Sequence, residues 1–126
     1  MTDTSTPAIA THEVADPDAA ILAAWNERRE AFARYNALPH DDPRENDEWA
    51  IIDRAEVAIR GQVSKTLNGI AAQVWVGLQY SLTQRTDDAA AQIGDIAYFA
   101  DDERFEMSER MALAALRSLA AQGAAL

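Results

Sequence analysis

The chain contains no cysteine, which removes disulfides, thiolate metal ligands and a cysteine nucleophile from consideration and fits a reducing, cytoplasmic setting. Basic side chains are scarce: 11 Lys and Arg stand against 21 Asp and Glu, for a formal net charge of −10. A sequence-independent grip on nucleic-acid phosphates or on anionic lipid needs clustered Lys and Arg. Direct nucleic-acid binding and membrane attachment are therefore not expected. Only two histidines occur, His12 in an N-terminal stretch without periodicity and His40 in a turn, a poor basis for a nucleophile, base and orienting acid. Glu-x-x-His, Gly-x-Ser-x-Gly, P-loop and dinucleotide fingerprints are all missing. No stretch alternates as a β-strand does, and the four prolines fall in the N-terminal stretch or at helix boundaries.

One further absence organises the chain. From Thr66 to Gln84 there is no charged residue, yet polar residues recur too often for a membrane span. Leu67, Ile70, Ala71, Val74, Leu78 and Leu82 follow the i, i+3, i+4, i+7 spacing of one helix face. The outer face carries only amides and hydroxyls, so this helix is expected to be central and covered on several sides. Ile70→Asp is then expected to unfold the protein. Trp75 and Tyr80 lie off the stripe and either meet a second layer of helices or form a partner surface. Gly69 and Gly77, unfavourable in a helix interior, imply either a close backbone approach or mere tolerance.

The rest of the chain reads as further helices. Residues 1 to about 15 predict a mobile tail. Asp16 and Pro17 begin a first helix, with Ile21, Leu22, Ala24, Trp25, Ala31, Phe32, Tyr35 and Leu38 inward. Glu27, Arg28, Arg29, Glu30 and Arg34 lie mostly outward, and Pro39 stops the helix. Asp42, Pro43 and Glu45 start a second one, striped by Trp49, Ile52, Ala55, Ile59 and Val63 and ended at Gly61. So short a link makes these two helices antiparallel neighbours. Thr86, Asp87 and Asp88 resemble another helix start, leading to a face of Ala89, Ile93, Ile96, Ala97 and Ala100, unless the central helix continues through Arg85. Asp102 or Ser108 caps a last helix with Phe105, Ala112, Leu113, Leu116, Leu119 and Ala120 inward, ending at Gly123.

The charge distribution offers the one candidate site. Asp87, Asp88, Asp95, Asp101, Asp102 and Glu103 occupy residues 86–103 without a basic side chain, and Glu45, Asp47 and Glu48 lie in the acidic run 41–56. If these segments share a face, its field attracts a basic partner. No catalytic, cofactor-binding or metal-ligating residue is assigned. His40, Asp41 and Asp42 are adjacent in a turn and do not converge, and Asp101 to Glu103 lack the alternating oxygen ligands and glycine of a calcium loop.

The segments ERREAFARYNALP, DEWAIIDRAEVAI and SKTLNGIAAQVWV, between Trp25 and Trp75, and the closing MALAALRSLAAQG resemble small uncharacterised all-helical proteins of alphaproteobacterial genomes and their prophages. The matching positions are Tyr35, Asn36, Leu38 and Pro39, then Thr66, Leu67, Gly69, Ile70, Ala71 and Ala72. The resemblance implies a bacterial, mobile-element context and carries no functional residue over. The expectation is thus an all-α antiparallel bundle of four or five helices over residues 16–123, behind the tail. Its function is read as a non-enzymatic protein-interaction or regulatory accessory role, without cofactor or metal. The partner is another protein, basic if the acidic face is used, and a homo-oligomer remains open. The alternative is an acidic inhibitor that imitates nucleic acid.

Overall fold

A computed structural model describes residues 16–126, and the expected tail over 1–15 lies outside the described residues. Five α-helices follow in order: α1 (Ala19–Ala37), α2 (Arg44–Arg60), α3 (Leu67–Gln79), α4 (Arg85–Gln92) and α5 (Met107–Ala121). A 3-10 turn, Ile96–Phe99, separates the last two, and no strand occurs among the described residues. The fold is all-α, as the periodicity requires.

The hairpin of α1 and α2 is built by its connection. Leu38 takes an extended backbone (ψ 147°), the conformation imposed on a residue before proline. Asp41 adopts φ +61° to turn the chain, and the Asp42 carboxylate accepts from Arg44 N at 2.8 Å, capping α2. Later positions of α1 then meet earlier positions of α2. Phe32 and Tyr35 pack edge-on against Trp49, with ring centroids 5.6 and 5.4 Å apart. Arg34 pairs with Glu48 about two turns along the hairpin from Arg28 and Glu56. Val63, expected on the inner stripe of α2, is instead exposed. The helix has already ended at Gly61, so the helical period no longer governs that position.

Helix α3 packs against all four other helices and is the centre of the bundle. Its buried arc is Gly69, Ala71, Ala72, Trp75, Leu78 and Gln79, rotated from the expected stripe toward Trp75. Trp75 meets the second layer, with its ring centroid 5.8 Å from that of Phe99. Ile70 is 38% exposed, so its assignment to the core is corrected, together with the unfolding expected of Ile70→Asp. The bulk of Trp75 sets the orientation, because a large aromatic side chain recovers more apolar area on burial than an isoleucine.

The start of α3 is tied to the start of α1. Asp18, buried, directs its Oδ2 at Ser64 Oγ (2.9 Å), Lys65 N (2.9 Å), Thr66 N (2.7 Å) and Thr66 Oγ1 (2.6 Å). Thr66 Oγ1 in turn accepts from Gly69 N at 3.1 Å, the N-cap bond. A Cβ on Gly69 would lie 2.1 Å from Ser64 Oγ and 2.2 Å from Asp18 Oδ2. Here glycine permits a close approach. At Gly77 a Cβ would meet nothing within 4 Å, and Gly77→Ala is expected to raise stability by about 1 kcal/mol through helix propensity, read as a higher denaturant midpoint with unchanged slope.

Helices α3 and α4 are separate, broken over residues 80–84. The face expected for α4 is displaced: Ala89, Ile93, Ala97 and Ala100 are exposed, and Asp87, Ala90, Ala91 and Gln92 are buried. The helix stops at Gln92, and Gly94, at φ +71°, redirects the chain into the 3-10 turn. A helical period carried across that break assigns the wrong side. The last helix is capped by neither Asp102 nor Ser108. Its cap is Glu106, whose backbone N–H donates to Glu109 Oε1 at 3.1 Å. At its end Gly123 (φ +114°) lets Ala124 N reach Leu119 O and its own N–H reach Ala120 O, a Schellman closure.

Candidate functional site

Three features of the fold carry polar or accessible chemistry: a buried ion pair, an uncharged helix face and a cavity. The first corrects the sequence reading of Arg28, expected on the outer face of α1 but completely buried, at 0% exposure. Its Nε donates to Glu56 Oε2 at 2.8 Å, its Nη2 to the side-chain carbonyl of Gln79, and its guanidinium lies 4.7 Å from the Phe32 ring centroid. Nη1 and the indole N–H of Trp25 have no partner among the described residues. The position was legible, because Arg28 falls at i+7 from Ile21, between Trp25 and Phe32 on the apolar stripe. Its charge alone suggested the solvent side.

The other oxygen of Glu56 accepts from the Tyr80 hydroxyl, so one carboxylate joins α1, α2 and the end of α3. The Tyr80 ring is 62% exposed while its hydroxyl turns in against Glu56. Burial of that hydroxyl, followed by the hydrogen bond to Glu56, pushes the phenol from 10.0 up to about 12. A raised folded value favours the neutral phenol. Its contribution is present below pH 10 and is lost as the pH climbs toward 12. Tyrosinate absorbance is expected to show one late-titrating phenol that disappears in Tyr80→Phe.

Alongside Tyr80 the uncharged stretch reaches solvent. Ile70, Gly77 and Tyr80, at i, i+7 and i+10, are exposed along one side of α3, and Val57 of α2 is exposed next to Glu56. Gln73 joins the two helices by donating to Ile59 O (3.0 Å) and Gln62 O (2.8 Å). The helix is thus covered on several sides, as expected, and open on this one.

Three of the nine acidic positions, Asp87, Asp102 and Glu48, are paired with arginines. Asp87 is 2% exposed, held by Arg104 through two bonds of 2.7 and 2.8 Å and by the Tyr98 hydroxyl at 2.8 Å. Arg104, foremost among its causes, holds the Asp87 carboxyl below the usual range. Asp102 pairs with Arg117 and Glu48 with Arg34, each at 3.0 Å. The stretch 86–103 has no basic residue of its own, but Arg104 and Arg117 reach it from beyond its end. Asp88 accepts from Gln92 at 2.8 Å, and Gln92 accepts from Asn36 at 2.8 Å, tying α4 to α1. Asp95 caps the 3-10 turn, accepting from Tyr98 N at 3.3 Å, and Asp101 accepts from Glu103 N at 3.2 Å. Glu103 and Asp47 are exposed and Glu45 is half-buried. Glu45, Asp47 and Glu48 sit on α2, which shares no extensive packing with α4.

A cavity of about 590 Å³ opens where the α3–α4 connection meets the 3-10 turn and the start of α5. Leu82, Thr83, Asp87, Tyr98, Phe105 and Glu109 are among its walls. Arg104 lies 4.0 Å from the centroid of the Phe105 ring while it holds Asp87. Neither Arg104 nor Glu109 was singled out by sequence, although Glu109 falls at i+4 from Phe105 and i−4 from Leu113 on the buried stripe of α5. Among the described residues no three His, Asp or Glu side chains are grouped to hold a metal ion. His40 stands in solvent beside Asp41, at 3.3 Å. No helix of the described residues is long and apolar enough to cross a membrane. No protein-family model, curated protein or solved structure matches the chain.

Proposed function

We propose that this chain is a non-enzymatic interaction protein, an accessory or regulator that binds another protein through the uncharged outer face of α3. The observation that supports the reading is the exposure of Ile70, Gly77 and Tyr80 on one side of that helix. In a chain of net charge −10, an accessible face without charge is where apolar contact with a partner encounters least desolvation cost. The acidic remainder keeps the molecule soluble and repels non-specific association. The nucleic-acid-mimic alternative is weakened by Arg104, Arg117 and Arg34, which neutralise Asp87, Asp102 and Glu48. It would have to work with the other six positions, spread over different elements.

Ile70→Asp provides the test. Because Ile70 is 38% exposed, the variant is expected to stay folded with a loss of about 1 kcal/mol, and to lose a partner that the parent protein retains from host lysate at high salt. Light scattering after size exclusion reports whether that partner is a second copy. Retention that vanishes at high salt, and is indifferent to Ile70→Asp, would overturn the apolar interface in favour of the acidic one.

A further inference from the structure

We propose that the cavity between the α3–α4 connection and the start of α5 is a binding site for a primary alkylammonium group, with Glu109 as the charge that receives it. The site is separate from the outer face of α3. Its volume, about 590 Å³, lies within the range of small-ligand sites.

The argument starts from an imbalance of charge. Three carboxylates, Asp87, Glu106 and Glu109, and one guanidinium, Arg104, line the cavity. Arg104 is already spent on Asp87, with both terminal nitrogens engaged at 2.7 and 2.8 Å. Glu109 is 9% exposed, and among the described residues no cation lies within ion-pair distance of it. Its Oε1 accepts the backbone N–H of Glu106 at 3.1 Å, and Oε2 has no hydrogen-bond donor among the described residues. That oxygen is not among the fully enclosed unsatisfied atoms, so it has an opening, and Glu109 lines the cavity. The positive end of α5 offsets part of its charge. Oε2 is left to accept from a charged donor that enters the cavity.

The remaining walls define the kind of cation. Thr83 and Gln84 offer neutral oxygen acceptors, and Leu82 and Phe105 offer apolar surface suited to a methylene stem. An anion would face the two carboxylates, Glu106 and Glu109, that Arg104 does not neutralise, and a metal ion lacks a grouped set of ligands among the described residues. A flexible alkyl chain ending in an ammonium meets both halves of the cavity. Lysine side chains and free aliphatic diamines share this chemistry.

The test titrates the whole protein in low-salt buffer with cadaverine and, separately, with Nα-acetyl-lysine methylamide, followed by calorimetry and amide NMR shifts. Saturable shifts are expected at Leu82, Thr83, Phe105 and Glu109. Affinity is expected to fall about tenfold in Glu109→Gln, whose amide oxygen can still accept from Glu106 N and so preserves the cap. A response to the lysine derivative alone assigns the source to a partner's side chain, and a response to cadaverine alone assigns it to a free diamine. Absence of saturable shifts with both probes, or undiminished affinity in Glu109→Gln, overturns the proposal. Should that variant not fold, the parent protein with N-acetylcadaverine, in which one ammonium remains, and with the doubly acetylated, uncharged compound decides the point. Equal binding of the uncharged compound overturns it as well.

Discussion

Arg28→Ala is expected to destabilise the protein by about 3–5 kcal/mol, the usual consequence of breaking a buried ion pair from one side. The loss combines three effects at one position. Glu56 is left with the Tyr80 hydroxyl and no cation, the Gln79 carbonyl loses its donor, and the Phe32 face loses the guanidinium 4.7 Å from its centroid. Urea unfolding of Arg28→Ala, Glu56→Gln and the double variant separates charge from packing. The double variant is expected to be less destabilised than the two single losses added together, with a coupling of about 1–3 kcal/mol, because neutralising Glu56 removes the stranded charge. Strict additivity would mean that the two groups do not form the pair described. Nη1 is also without a partner among the described residues, so the pair does not recover the full cost of burying the guanidinium. Its contribution is to hold α1, α2 and the end of α3 in one register, since no other rotation of α1 presents Arg28 to both Glu56 and Gln79.

Asp18→Ala is expected to lower the melting temperature by roughly 10 °C, as the loss of several hydrogen bonds to one buried group does in a chain of this size. Ser64 Oγ, Lys65 N, Thr66 N and Thr66 Oγ1 would all lose their acceptor, and the start of α3 would be released from α1. The same carboxylate makes stability depend on acid. Hydrogen bonds, that from the Thr66 hydroxyl first, hold the Asp18 carboxyl below its ordinary 3.8. Its partner Arg44 holds Asp42 down to about 2, and Arg104 lowers Asp87. A folded value below the unfolded one means that each contribution is present above 3.8 and lost as the pH falls below it, for Asp42 toward about 2. Thermal melts are expected to decline steeply over that interval, and Asp18→Asn to flatten the decline while lowering the plateau. An unchanged acid slope in Asp18→Asn would remove Asp18 from the cause.

Much of the architecture can be read along the chain, because helix starts and stops are local. Asp42 before Pro43 caps α2, Gly123 closes α5, and Pro39 forces the extended residue that ends α1; each acts on neighbours within a turn. The antiparallel hairpin follows from a link too short for any other path. The buried arc of α3 was legible only in part: its centrality followed from the missing charge, and its rotation depended on which neighbour received Trp75. The face of α4 was misplaced for a similar reason, since the periodicity across residues 89–100 continues through a break that Gly94 makes at φ +71°.

Charge was the least legible property. Arg28 and Glu109 both lie at apolar-stripe positions, and their chemistry argued for the surface. Asp87 and Asp102 lie in an acidic run, yet their counter-ions, Arg104 and Arg117, come from 17 and 15 residues away. Local composition therefore determined that the chain is helical, where most helices begin and end, and that its surface is acidic. Which carboxylates are neutralised, which arginine is buried, and that the uncharged helix leaves Ile70 and Tyr80 in solvent were decided by packing. Helix signals act over a few residues, whereas burial and ion pairing depend on which groups the folded chain brings within a few ångströms.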